Sequence, residues 1–161
     1  MRLKFTFAVA TAVVLAGCAH TRRTTAGEPG LQETQGWMNS FVADRGVGAT
    51  YAGGGCSGAV TWLKNDSPYY TFSFSLGDLD SNTVTSVHAV VSPPALQNVW
   101  RVTAVTTNKL QKVAFDNHQT EQPTHDSGIE GINFRSNEDA DRFAKALRHA
   151  IVLCGGKPSA F

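Results

Sequence analysis

The chain has 161 residues, with 14 basic and 13 acidic side chains, a formal net charge of +1, 42% hydrophobic residues and 17% charged ones. That size fits one compact domain with its own core. The balance of charge excludes nucleic-acid recognition by a basic surface, and the composition excludes an acidic disordered tail.

The N-terminus carries Arg2 and Lys4, followed by an apolar run over residues 5–16 broken only by Thr6 and Thr11. A bilayer span needs about 20 apolar residues, so this run has the length of a signal-peptide h-region. It ends in Leu15-Ala16-Gly17-Cys18, which resembles the lipobox of bacterial lipoproteins. The resemblance implies that residues 1–17 are a signal peptide, cut before Cys18. It also implies that the Cys18 thiol carries a diacylglyceryl group and the new amino terminus an acyl chain. Two or more chains hold a protein on a membrane stably, where one does not. Residue 19 is Ala rather than Asp, which for a lipoprotein of this type in a Gram-negative envelope implies the outer membrane, facing the periplasm. An ordinary secretory signal with a chance cysteine is the plainer alternative. Residues 18–33, rich in Thr, Gly and Pro, read as a flexible tether. Arg22 and Arg23 within it read as solvated, the alternative being attraction to anionic headgroups worth about 1 kcal/mol each.

The predicted elements follow in order. Trp37, Met38, Phe41 and Val42 form one helical stripe over 34–44. Gly46, Gly48 and residues 53–55 then predict a flexible loop. Residues 56–63 read as a strand, stopped by Asn65-Asp66-Ser67-Pro68. Tyr70, Phe72, Phe74 and Leu76 alternate with Thr71, Ser73 and Ser75, which predicts a strand with one apolar and one hydroxyl face. A turn over 76–82 leads to a third strand over 83–91, closed by Ser92-Pro93-Pro94. A fourth strand spans 99–107 and a fifth 109–117, and their closeness predicts a tight hairpin. Residues 118–128 read as a polar loop and 129–134 as a sixth strand.

Ser136 sits where a helix cap is needed. Ala140, Phe143, Ala144, Leu147 and Ile151 give the buried stripe of a long helix. Glu138–Arg142 and Asp141–Lys145 have the spacing of i, i+4 ion pairs. Arg148 and His149 suit the negative end of the helix dipole, and Gly155-Gly156 and Pro158 stop the helix.

These elements predict a single α+β domain over 34–158. It has a bent antiparallel sheet of about six or seven strands, an N-terminal helix and a long C-terminal capping helix. The order resembles the pleckstrin-homology-like superfold. The chain is also similar to a family of secreted bacterial proteins of unknown function. The resemblance rests on Trp37, Cys56, Leu76-Gly77-Asp78-Leu79-Asp80 and Leu153-Cys154-Gly155-Gly156, covers 34–158, and brings no catalytic residue with it.

After Cys18, Cys56 and Cys154 remain. In an oxidising compartment two cysteines generally pair, and a loop of about 100 residues closed this way is worth about 4–5 kcal/mol in the chain-entropy model. Two free thiols are the alternative. Asp78 and Asp80 make a DxD, but the positions after them lack the Gly and Glu of an EF-hand, so turn capping is the reading. His118, His125 and Asp126, with Asp116 and Glu121 nearby, are the candidates for a divalent metal. The two histidines lie seven positions apart, which does not match a helical zinc pair, and they read as exposed loop side chains. His88 is expected on the outward face of the sheet.

No GxSxG or SxxK occurs, and Gly53-Gly54-Gly55-Cys56-Ser57-Gly58 lacks the lysine of a P-loop. No catalytic residue and no cofactor is assigned. The function expected is a lipid-anchored cell-envelope protein, non-enzymatic, that binds or scaffolds. It is attached to the membrane through Cys18, has an envelope protein or small apolar ligand as partner, and binds no nucleic acid. The alternatives are a periplasmic hydrolase, which needs a nucleophile and base within hydrogen-bond reach in a pocket, and a purely structural envelope component.

Overall fold

The computed structural model describes residues 27–90, 98–120 and 123–157. The signal region, Cys18, Arg22, Arg23, residues 91–97, Glu121 and Pro158 lie outside the described residues.

Helix α1 spans Leu31–Arg45 and buries Met38, Phe41 and Val42, the stripe expected of it. It starts inside the stretch read as tether: Thr34 is buried, and its backbone N–H and hydroxyl both donate to Gly30 O at 2.9 Å. That local bonding closes a first helical turn without apolar periodicity, which is why the sequence pattern starts the helix too late.

The strands are β1 Gly46–Val47, β2 Ala49–Gly54, β3 Ser57–Lys64, β4 Ser67–Ser75, β5 Thr85–Ala89, β6 Val99–Val105, β7 Val113–Asn117, β8 Thr124–Asp126 and β9 Gly128–Phe134. Helix α2 follows over Asn137–Leu153. Among the described residues there are thus nine strands, more than the six or seven expected. They form two antiparallel sheets, ordered β1-β9-β6-β5 and β2-β3-β4-β7-β8, rather than a single bent one. The chain passes between the sheets at Gly48 (φ 67°), whose carbonyl accepts from Leu63 N at 2.8 Å. Glycine adopts that backbone at no steric cost.

Three further expectations are corrected. The glycine-rich stretch 46–55 is not a flexible loop but β1, β2 and the start of a hairpin. Ala49 and Tyr51 are buried, and Gly53 pairs with Gly58 across the ladder. A Cβ at Gly53 would lie 2.0 Å from Gln35 Oε1, and one at Gly58 2.7 Å from the Phe74 ring. These glycines serve close packing, not mobility.

Strands β6 and β7 do not form a hairpin. They belong to different sheets, β6 between β5 and β9 and β7 between β4 and β8. A short 3-10 turn over Thr107–Lys109, with Asn108 and Lys109 at positive φ, carries the chain across. Buried Thr106 anchors the crossing by hydrogen bonds to Leu110 O and Ser127 O. The polar stretch 118–128 contains β8, an edge strand whose three residues are all exposed, so it leaves no apolar period to read. By contrast Asn65 and Asp66, at φ 52° and 60°, make the tight turn between β3 and β4.

The core lies between the sheets and under α2. Val60, Phe72 and Phe74 meet Val102, Ile132 and Phe134, and the α2 stripe of Ala140, Phe143, Ala144, Leu147 and Ile151 is buried among them. Phe143 packs 5.5 Å from Phe134 and edge-on at 5.8 Å to Tyr51. Ser136 caps the helix by accepting from Asp139 N at 3.1 Å. The expected pairs Glu138–Arg142 and Asp141–Lys145 do not form among the described residues. Asp141 accepts from Ser86 and Asn137, and the Arg142 guanidinium lies 5.2 Å over the Phe41 ring. Arg148 donates to Val84 O at 2.6 Å. The tertiary partners of Asp141 and Arg142 outcompete the exposed i, i+4 pairs, each worth only a few tenths of a kcal/mol.

The far end of α2 is fastened at several points. Cys56 and Cys154 meet at disulfide distance, with Cα atoms 5.5 Å apart. The motifs over 76–80 and 153–156 pack on each other: a Cβ at Gly77 would lie 2.8 Å from Cys154 O, and one at Gly156 3.0 Å from Leu79 O. Ser81 Oγ donates to Lys157 O at 2.7 Å. Asp80 caps its own turn through Asn82 N at 3.0 Å and also meets Lys157 Nζ at 3.3 Å. Its burial pushes the carboxyl pKa up, but the bonds from Asn82 and Lys157 overcome this and hold it below the usual carboxylate value.

Two outcomes follow for stability. Phe143→Ala and Leu147→Ala should each cost about 2–5 kcal/mol, against a total of about 5–15, so the double variant largely unfolds while Asp141→Ala shifts the melt only slightly. Thermal melts of the four variants beside the parent check this. A depressed carboxyl stabilises the fold above the ordinary carboxylate pKa and loses that effect as pH falls through its folded value. Asp80→Asn should therefore be less stable than the parent at pH 7, with the gap closing in acid, as read by urea unfolding at the two pH values.

Candidate functional site

Helices α1 and α2 leave a cleft of about 680 Å³ between them, with Glu28, Glu33 and Trp37 on one side and Arg142, Lys145 and His149 on the other. Its parts come from periodicity. Arg142, Lys145 and His149 recur at i, i+3 and i+7, so they share one flank of α2, next to the buried stripe. Trp37 is held from below by Phe41, its ring stacked at 4.4 Å, and Phe41 also carries the Arg142 guanidinium. Pro29 closes one end. Its carbonyl lies 2.8 Å from His149 Nε2, so this nitrogen carries the proton and donates. The result is an aromatic floor with both signs of charge at the rim, suited to a ligand with an apolar body and polar ends.

A second groove, of about 420 Å³, lies against Gly77, Leu110 and Gly155. Its two lysines are already engaged, Lys112 by Asp78 at 2.5 Å and Lys157 by Asp80. Asp78 thus makes an ion pair instead of a turn cap.

The metal candidates are dispersed. His118 Nε2 lies 2.8 Å from Thr71 Oγ1, His125 sits on β8 opposite Ala114, and Asp126 accepts from Ser127 N at 2.6 Å. No three His, Cys, Asp or Glu side chains converge to hold a metal among the described residues. His88 is exposed, in edge contact with Trp100 at 5.4 Å.

One array bears on hydrolysis: Thr71 Oγ1, His118 and Asp116 follow each other as hydroxyl, imidazole and carboxylate. Its geometry argues for sheet cohesion. His118 Nδ1 stands 3.7 Å from Asp116, beyond hydrogen-bond range, while Thr71 Oγ1 also bonds Thr61 Oγ1 at 3.1 Å. Thr71 and Asp116 pair with each other in adjacent strands. Ladder amides are committed to neighbouring strands and are poor oxyanion donors.

No protein-family model, no curated protein and no solved structure matches the chain. Among the described residues no helix is long and apolar enough to cross a membrane.

The cleft itself was not foreseen. Trp37 reads as core, Glu33 as tether, and Arg142 and Lys145 as members of i, i+4 pairs. The available signal is the cationic stripe at 142, 145 and 149 beside the apolar one. His149→Ala should release Pro29 and speed amide exchange in the first turn of α1, while lowering global stability by no more than about 1 kcal/mol. Hydrogen-exchange mass spectrometry read beside a thermal melt checks both parts.

Proposed function

We propose that this protein is a lipid-anchored domain of the cell envelope that binds a partner in the α1–α2 cleft and carries out no catalysis. The observation that carries the reading is where the cleft lies: Pro29, at its end, is only a short way along the chain from Cys18. Residues 19–26 span at most about 30 Å when extended. A domain held through acyl chains on Cys18 therefore keeps the cleft close to the membrane that anchors it. The lipobox resemblance supports the anchor, and Ala19 the outer membrane facing the periplasm. The meeting of Cys56 and Cys154 suits an oxidising compartment. The indole floor and charged rim favour an envelope protein, or a small ligand with an apolar body, over a nucleic acid. Two antiparallel sheets closed by a terminal helix favour the pleckstrin-homology-like reading of the architecture, while the β4–β7 pairing departs from a simple meander.

A photocrosslinking residue at Lys145, in intact cells, tests the reading against a control at the exposed Thr50. The expected result is a discrete adduct at the cleft that is absent from the control and lost in Trp37→Ala. Identical adducts from both sites, or none from the cleft, would leave only a structural component. Cys18→Ser separately tests the anchor: the protein should leave the membrane fraction or stay uncleaved. A mature protein still fractionating with membranes contradicts lipidation.

A further inference from the structure

Arg101 of β6 and Asn133 of β9 stand directly opposite each other in the sheet. Arg101 Nε donates to Asn133 Oδ1 at 2.9 Å, and the guanidinium lies 4.8 Å over the ring of Trp62. Asn133 is fully buried. Because its oxygen must face Arg101, its amide orientation is set, and Nδ2 is left as a donor. That Nδ2 and the buried Nε1 of Trp62 meet no acceptor. Nor do the two terminal nitrogens of Arg101 among the described residues, where no carboxylate pairs with it. The three side chains hold one acceptor atom, Asn133 Oδ1, and Arg101 already uses it. Buried polar groups are ordinarily matched, so this cluster is short of acceptors, and the partly exposed Arg101 adds a positive charge that no carboxylate among the described residues offsets.

We propose that Trp62, Arg101 and Asn133 form a binding site for a carboxylate. Arg101 is partly exposed and presents its terminal nitrogens as a fork, which matches the two coplanar oxygens of a carboxylate. Asn133 is the positioning residue: by holding Nε it aims the fork. Trp62 is the platform over which the guanidinium lies. A single cation with neutral donors around it suits a monoanion better than a phosphate dianion. Val87 pairs with Arg101 across the ladder and is 45% exposed, so an apolar body attached to the carboxylate has a surface to rest on. This site is separate from the α1–α2 cleft and does not depend on it.

The test is a titration of the ¹⁵N-labelled full chain in detergent, following the indole N–H of Trp62 and the Nε–H of Arg101. Acetate is the probe, with inorganic phosphate and chloride at matched ionic strength as the other arms. Acetate should move both resonances saturably while the Trp37 indole stays still. Arg101→Lys keeps the charge but loses the fork, and should weaken the response by about tenfold or more. Asn133→Asp supplies a carboxylate from within and should abolish it, which keeps the test open if the lysine variant folds poorly. A drift no larger than that with chloride overturns the proposal. So does an undiminished response in a folded Arg101→Lys, or saturation by phosphate and not acetate.

Discussion

The meeting of Cys56 with Cys154 joins the turn between β2 and β3 to the end of α2, and the closure of the core depends on that junction. Two sheets joined by chain crossings such as Gly48 and residues 106–109 leave an open side, and α2 is the element that covers it. A helix lying on a sheet by its apolar stripe alone can fray from its end. Here the end is tied to the β2–β3 turn through the cysteines, and to the turns after β4 through the packing of Gly77 and through Lys157, which bonds Asp80 and Ser81. In the chain-entropy model a closed loop of about 100 residues contributes about 4–5 kcal/mol, comparable with one or two core side chains.

Helix α1 is attached by a different chemistry. Gln35 is buried and donates to Gly55 O at 3.1 Å while accepting from Tyr51 at 2.7 Å. Asn39 exchanges two hydrogen bonds with the backbone of Gly53, at 2.8 and 2.9 Å. These amides pair part-buried backbone groups at the β2 edge and in the turn that follows it. The Tyr51 phenol is pushed up to about 12 by burial, against the pull of Gln35, so it stays neutral and donates at any physiological pH. With α1 fixed on the β2 edge and α2 across the open side, the space between them is set, and the cleft follows from that placement.

Legibility followed the reach of each interaction. The α2 stripe and the alternation of Tyr70, Phe72 and Phe74 are local periods, and both elements stand where the pattern puts them. Gly53 and Gly58 look like loop residues because what they make room for, Gln35 and Phe74, lies elsewhere in the sequence. The passage from β6 to β7 looks like a hairpin because nothing near Asn108 records that its flanking strands pair with β5, β9, β4 and β8. Strand β8 has no apolar residue to mark it. Cys56 and Cys154, likewise, are visible in the sequence as candidates for pairing, but their distance is a property of the fold. The cleft and the Arg101 cluster each draw on distant segments, so their residue types are visible in sequence and their convergence is not.

The junction at Cys56 and Cys154 is tested most directly by comparing two thermal midpoints. One is that of the protein as isolated, the other that of the same protein reduced and alkylated at both cysteines. A contribution of about 4–5 kcal/mol predicts a fall of more than about 10 °C on reduction, with α2 losing its exchange protection first. Equal midpoints, or free thiols at both positions in the unreduced protein, would contradict the account.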